Sequence, residues 1–245
     1  MLFHLQLGVV ALVTVLPVAT ATDTQTRRVA LPPGRALSLE ITIGDVRIDG
    51  ASGSEAVIEI VRQAPTADGL TRIPVEIAED DSEVRIRGVQ ADGGTDPAFR
   101  THVTLRVPAA AAIRAVRIVE GRLRIDALTG SITAEVQRGP IDASNSQGVV
   151  RLETGIGSVT ADRMRLSPEG LLRLRAFNGD VRLSLAARPA DARILALALN
   201  GTITSEIPLA MKNTWGPRWG EATIGKGEPV ISVDVVTGRI EIKVQ

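Results

Sequence analysis

The chain of 245 residues has no cysteine and no tyrosine, and only three phenylalanines, two tryptophans and two histidines. Without cysteine it can form no disulfide, thiolate nucleophile or thiolate metal site, and no lipid anchor on an N-terminal cysteine. Aromatics are 2% of the sequence and hydrophobic residues 44%. The core is therefore built from Val, Ile, Leu and Ala, which suits thin layers better than a bulky interior. Lysine occurs only at positions 212, 226 and 243, so arginine carries nearly all the positive charge. Basic and acidic residues number 28 each, for a net charge of zero, which excludes the basic footprint of a nucleic-acid partner. The length allows one large domain or two small ones, and 23% charged residues mark the chain as globular rather than disordered.

What is present is a repeat. Glycines stand at 121, 130, 139, 148 and 157, nine residues apart, each followed by a phrase such as Gly-Arg-Leu-Arg-Ile-Asp or Gly-Ser-Ile-Thr-Ala-Glu. Two residues after the glycine comes an aliphatic residue (Leu123, Ile132, Ile141, Val150, Val159), and four after it an apolar or small one (Ile125, Ala134, Ala143, Leu152, Ala161). Polar residues fill the gaps. This is period-two alternation, so each repeat is a half-buried strand entered through a glycine turn. The phrase returns after Gly170, Gly179, Ala192, Gly201, Gly227 and Gly238, with steps of 13, 9, 13, 9, 26 and 11 residues from Gly157 onward. Insertions thus fall on alternate connections, which is expected if two strands make one turn of a coil. The expected fold is all-β: a parallel β-solenoid with two strands per coil of about 18–22 residues, preceded by a short-stranded β region. Its enlarged corners, at 162–169, 184–191 and 206–226, should share one ridge.

Residues 5–18 form an apolar run that ends in Pro17-Val18-Ala19-Thr20-Ala21, a small-x-small cleavage pattern, although the preceding segment has His4 and no Lys or Arg. Residues 1–21 are expected to be a signal peptide, cut after Ala21. The run is too short for a confident membrane span, so contact with a membrane is expected only through this segment. Residues 22–110 read as an N-terminal β-strand region, with strands near 37–43, 46–49, 56–61, 73–77, 84–87 and 102–107 and no helical periodicity. Residues 111–245 read as the repeat region, with a C-terminal loop at 206–226.

Three features, namely His102-Val-Thr-Leu-Arg-Val-Pro108, the series of Gly-x-aliphatic-x-aliphatic repeats, and the ending from Gly225 to Ile242, resemble the exported bacterial β-strand-repeat family called "putative adhesin". The resemblance covers roughly residue 30 to the C-terminus. It implies a periplasmic or surface β-solenoid without known catalytic residues.

Candidate sites are few. Charges recur in register three residues after the glycines (Arg47, Arg124, Asp142, Arg151, Arg182, Glu241) and five after (Asp49, Asp126, Glu135, Glu153, Asp162, Glu206). Stacked carboxylates could serve polysaccharide cleavage or hold calcium. They could equally be a solvated face whose charges pair between rungs. Trp215 and Trp219 flank Gly-Pro-Arg218, and the three residues form a possible ligand-contact loop. The indoles could stack on sugar rings or could seal the end of the solenoid. His102 has no partner histidine or cysteine, which argues against zinc. No Gly-x-Ser-x-Gly elbow or phosphate-cradling loop is present.

The expected function is a non-catalytic binding or scaffold protein of the bacterial cell envelope, periplasmic, secreted or at the cell surface. It needs no cofactor or metal, and its partner is an envelope protein or a glycan. Two alternatives from other classes are a self-associating filament protein and a carbohydrate-active enzyme of the parallel β-helix type.

Overall fold

The computed structural model describes residues 20–213 and 216–245. The expected export signal lies outside the described residues except at Thr20 and Ala21, and so does Trp215. The described chain is all-β. Its first strands are β1 (Ala21–Ala30), β2 (Ala36–Ile43), β3 (Val46–Ala51), β4 (Glu55–Ala64), β5 (Glu76–Glu79), β6 (Glu83–Gly88) and β7 (Arg100–Pro108). The repeat region supplies β8 (Ala112–Glu120), β9 (Leu123–Asp126), β10 (Ile132–Arg138), β11 (Ile141–Ser144), β12 (Val149–Ile156), β13 (Val159–Met164), β14 (Leu171–Asn178) and β15 (Val181–Leu185). The C-terminal strands are β16 (Ala192–Ser205), β17 (Ala210–Asn213), β18 (Arg218–Ile224) and β19 (Val230–Val244). The segment 206–226, expected as a loop, instead carries the antiparallel strands β17 and β18; its Asn, Gly and Pro content reads as loop because the strands are short and lie outside the repeat phrase. A second departure is a 3-10 turn at Asp68–Arg72. Five residues are too few to leave a helical period in the sequence.

The strands hydrogen-bond into one mixed sheet of 19, organised as two ladders. In the first, β10 lies parallel between β8 and β12, and β12 pairs onward with β14. In the second, β11 lies parallel between β9 and β13, and β13 pairs with β15. The repeat dictates this register. Ile141 faces Leu123 on one side and Val159 on the other, so aliphatic residues stack on aliphatic residues, and all three are buried. Ladder strands from the N-terminal segment join the same stacks, β2 beside β8 and β3 beside β9. One hydrophobic cluster runs from Val29 to Ile242.

A column of glycines marks the corner from the first ladder to the second. Gly44, Gly121, Gly139, Gly157, Gly179 and Gly238 all have φ between 142° and 152°, a region open to glycine and strained for other residues. A Cβ on Gly139 would also collide with the carbonyl oxygen of Gly121, and one on Gly157 with that of Gly139.

The ends depart from sequence order. β19 inserts between β14 and β16 in the first ladder and between β15 and β16 in the second. The Gly238 strand therefore stacks on Gly179 and the Gly201 strand lies outermost. At the other end β2–β3 lies inside β6–β7, so there too the outermost rung is not the first in sequence. Antiparallel strands cover most of the edges: β5 on β6, β4 and then β1 on β7, β18 and then β17 on β16. These pairs make the sheet mixed.

Candidate functional site

Alternation decides which residues reach the outer surface of the first ladder. Its central outward row reads, strand by strand, Arg87, Glu40, Arg117, Glu135, Glu153, Arg175, Asp234, Leu197, Trp219 and Lys212. The row is charged for seven strands, apolar at Leu197 and Trp219, and charged again at Lys212. Further outward positions here are apolar too: Leu195 and Leu199 flank Leu197 on β16, and Phe177 and Val236 stand beside them on β14 and β19. Phe177 is 39% exposed, Leu199 41% and Trp219 42%. The patch spans four adjacent strands, β14, β19, β16 and β18, roughly 14 Å at ordinary strand spacing.

Cations frame it. The Arg175 guanidinium lies 4.5 Å from the centre of the Phe177 ring, and Lys212 Nζ lies 5.4 Å from that of Trp219. Arg193 donates from Nη2 to Glu221 Oε1 at 2.9 Å, and Arg175 lies 3.8 Å from Glu153. An apolar cluster with two aromatic side chains, bordered by Arg175, Asp234, Glu221 and Lys212, has the composition of a protein-contact surface.

Among solved structures, a putative cell adhesion protein from Clostridium sporogenes ATCC 15579 is 12% identical with a TM-score of 0.46, over 91% of this chain and 100% of that one. A putative adhesin from Bacteroides fragilis NCTC 9343 is 11% identical with a TM-score of 0.35, over 91% and 97%. A putative lipid binding protein from Parabacteroides distasonis ATCC 8503 is 6% identical with a TM-score of 0.30, over 91% and 97%. No family model and no curated protein matches the chain.

Of the three residues expected in a contact loop, Trp219 and Arg218 lie on β18, both exposed, and Trp215 lies outside the described residues. Trp219 does not plug the core. At this end Ile207, 1% exposed, is part of the core, Leu209 and Ala222 pack against the core, and the backbone of β18 covers the edge of the first half of β16. The three leucines of β16 were not singled out from the sequence, though their signal is there. Counting from Ala192 puts Ile194 and Ala196 inward, which leaves Leu195, Leu197 and Leu199 facing water.

Of the acidic positions, Glu135 and Glu153 belong to the outward row of the first ladder, while Asp49, Asp126, Asp142, Asp162 and Glu241 sit on the outer surface of the second. Asp126 and Asp162 are separated by Ser144, which pairs with both. Ser144 Oγ and Asn145 Nδ2 each donate to Asp126 Oδ1 at 2.7 Å, and these bonds hold its carboxyl below the usual range. A general acid requires the opposite shift. Asp162 Oδ1 accepts from Gln245 Nε2 at 3.0 Å. No group of three or more His, Cys, Asp or Glu side chains able to hold a metal occurs among the described residues. His102 Nδ1 accepts the Asp45 N–H at 3.1 Å, which ties β7 to the turn before β3.

The enlarged corners meet. Residues 164–168 and 186–191 line one open groove of about 520 Å³ together with Glu228 and Pro229. The segment 206–226 reaches it where the Lys226 N–H bonds Asp191 Oδ1 at 2.7 Å. Prolines and alanines dominate the groove. The apolar patch on the first ladder is the better candidate for binding.

Proposed function

We propose that this chain is a non-catalytic, adhesin-like binding protein of the bacterial cell envelope that engages a protein partner through the apolar patch around Leu197 and Trp219. The carrying observation is the change along one outward row from seven charged residues to Leu197 and Trp219. Burying exposed apolar surface of this kind is favourable by roughly 25 cal/mol per Å². A flat aliphatic surface with aromatic anchors suits a protein better than a glycan, which is held by convergent polar groups in a concave site. The two ladders are read as the two sides of a β-solenoid. Supporting this, parallel neighbours are offset by 18 residues at Ile132 and Val150 and by 22 at Val149 and Leu171. An envelope location follows from the apolar segment that ends in Ala19 and Ala21.

A photo-cross-linking residue at Leu199, compared in cells with one at Arg124 on the other outer surface, tests the reading. A discrete protein adduct from position 199 alone, lost on Leu197→Asp, is the expected result. Equal adducts from both positions, or none, would refute it. A shift of Trp219 emission in a Trp215→Phe background on adding soluble peptidoglycan fragments would transfer the site to a glycan.

A further inference from the structure

The second ladder ends at the C-terminal half of β16, residues 201–205. These pair with β19 on one side and with no strand on the other among the described residues. Every other end of the two ladders carries an antiparallel strand outside its last rung. Parallel-ladder geometry identifies which groups are open. The Glu206 N–H bonds the Ile242 carbonyl, so the even-numbered residues of this stretch turn their amides toward β19. Those of Gly201, Ile203 and Ser205 turn outward.

The first ladder goes two strands further. β18 and β17 stand beyond β16, about 10 Å at ordinary strand spacing. On the inner side of that pair Met211 lies opposite Gly220 and is 40% exposed, with Leu209 half-buried nearby. The open edge is therefore the floor of a notch with an apolar wall, two strands deep. Half-buried Ile203 forms part of the floor.

We propose that this notch receives an extended segment of another polypeptide, which adds a strand to β16 at residues 201–205. Backbone amides would hold the segment, and its inward side chains would cover Ile203 and Met211. The same step argues against a second copy stacked end on end. For β1 of that copy to reach the open edge, its β5 would have to occupy the space already filled by β17.

The test uses a fluorescein-labelled peptide with the sequence of residues 238–244, the strand that β16 already accepts on its other side. Anisotropy should show saturable binding. Ile203→Pro removes an outward N–H, at a position where an edge strand tolerates proline, and Ile203→Ala serves as its control, since it removes the side chain that packs on the core and keeps the N–H. Ile203→Pro should weaken binding at least about tenfold relative to Ile203→Ala, with both variants still melting cooperatively. Peptide N-methylated at alternate amides should fail to bind the unaltered protein, a result independent of how the variant folds. Equal binding to Ile203→Pro and Ile203→Ala, equal binding of the methylated peptide, or no binding at about 1 mM peptide would overturn the proposal. A concentration-dependent dimer abolished by Ile203→Pro would also overturn it, by giving the edge to a second copy.

Discussion

Arg239 donates its backbone N–H to Asp180 Oδ1 at 2.9 Å and its guanidinium to Oδ2 at 3.0 Å, across 59 residues of sequence. The pair locks the last strand onto the rung of Gly179. Burial alone would raise the Asp180 carboxyl, but the bonds from Arg239 outweigh it and hold the group below its usual range. The same device occurs near the other end, where Asp45 Oδ1 accepts the Arg122 N–H at 2.9 Å.

Asp180→Ala should therefore destabilise the fold by about 1–2 kcal/mol, because it leaves the Arg239 N–H without its charged acceptor. Asp180→Asn retains an acceptor oxygen and should lose less. Equilibrium denaturation of the three proteins checks this. Equal loss for Ala and Asn would mean that charge rather than the backbone bond is what matters.

The glycine column supports a sharper contrast. Gly139 has φ of 142°, and a Cβ there would strike the Gly121 carbonyl. Gly139→Ala should cost about 3 kcal/mol or more, from backbone strain added to backbone displacement. Gly53 also has positive φ, 114°, but nothing lies within 4 Å of its missing Cβ. Gly53→Ala should cost only about 1 kcal/mol. Similar losses for the two would show that conformation alone, and not stacking, requires the column.

The all-β class and, from β8 to β16 and in β19, the strand positions and their partition between the two ladders were legible because one count from each glycine determines both turn and facing. The covering strands β1, β17 and β18 were not, since no repeat phrase marks them. Stacking order at the ends was not. Gly201 and Gly238 head equivalent phrases, and nothing local to either says which rests on Gly179; that depends on the path of residues 206–226. The site was half legible. Trp219 stood out as a rare residue, but its partners Leu195, Leu197 and Leu199 sit in Ile194-Leu-Ala-Leu-Ala-Leu199, where inward and outward positions are both apolar and only the repeat register separates them.

Acid should unfold the protein earlier than base. The Asp80 carboxyl is lowered from 3.8 to about 2, first by the Ser82 hydroxyl and then by the Ser82 N–H. Asp126, Asp92 and Glu241 are lowered as well. A depressed carboxyl contributes stability that is complete above its unfolded value and disappears as pH falls through the folded one. For Asp80 that window runs from about pH 4 down to about pH 2. The raised Lys243 works the other way, with its contribution complete below its unfolded value and lost only in strong base. Melting temperature should be flat from about pH 7 to pH 5 and fall below about pH 4. Asp80→Asn combined with Asp126→Asn should flatten that fall. An unchanged acid limb in the double variant would assign the loss to other carboxylates.

Terminal segments ordinarily fray, yet β19 is held on both sides. Its first half lies between β14 and β16, and its second between β15 and β16. Its inward residues Ile231, Val233, Val235, Ile240 and Ile242 are all buried. β1, at the other end of the described chain, pairs only with β4 and is exposed along most of its length. Hydrogen exchange of a buried ladder amide requires its strand to open, and opening β19 detaches β16 and with it β18 and β17. Amides of β19 should thus exchange only with global unfolding, whereas those of β1 should exchange through local fraying. Deleting residues 230–245 should abolish cooperative unfolding, because β16 would lose its one parallel neighbour and the cores of β14 and β15 would face water. If β19 exchanges as fast as β1, the last strand is not clamped, and the insertion between β14 and β16 is not how the chain closes its end.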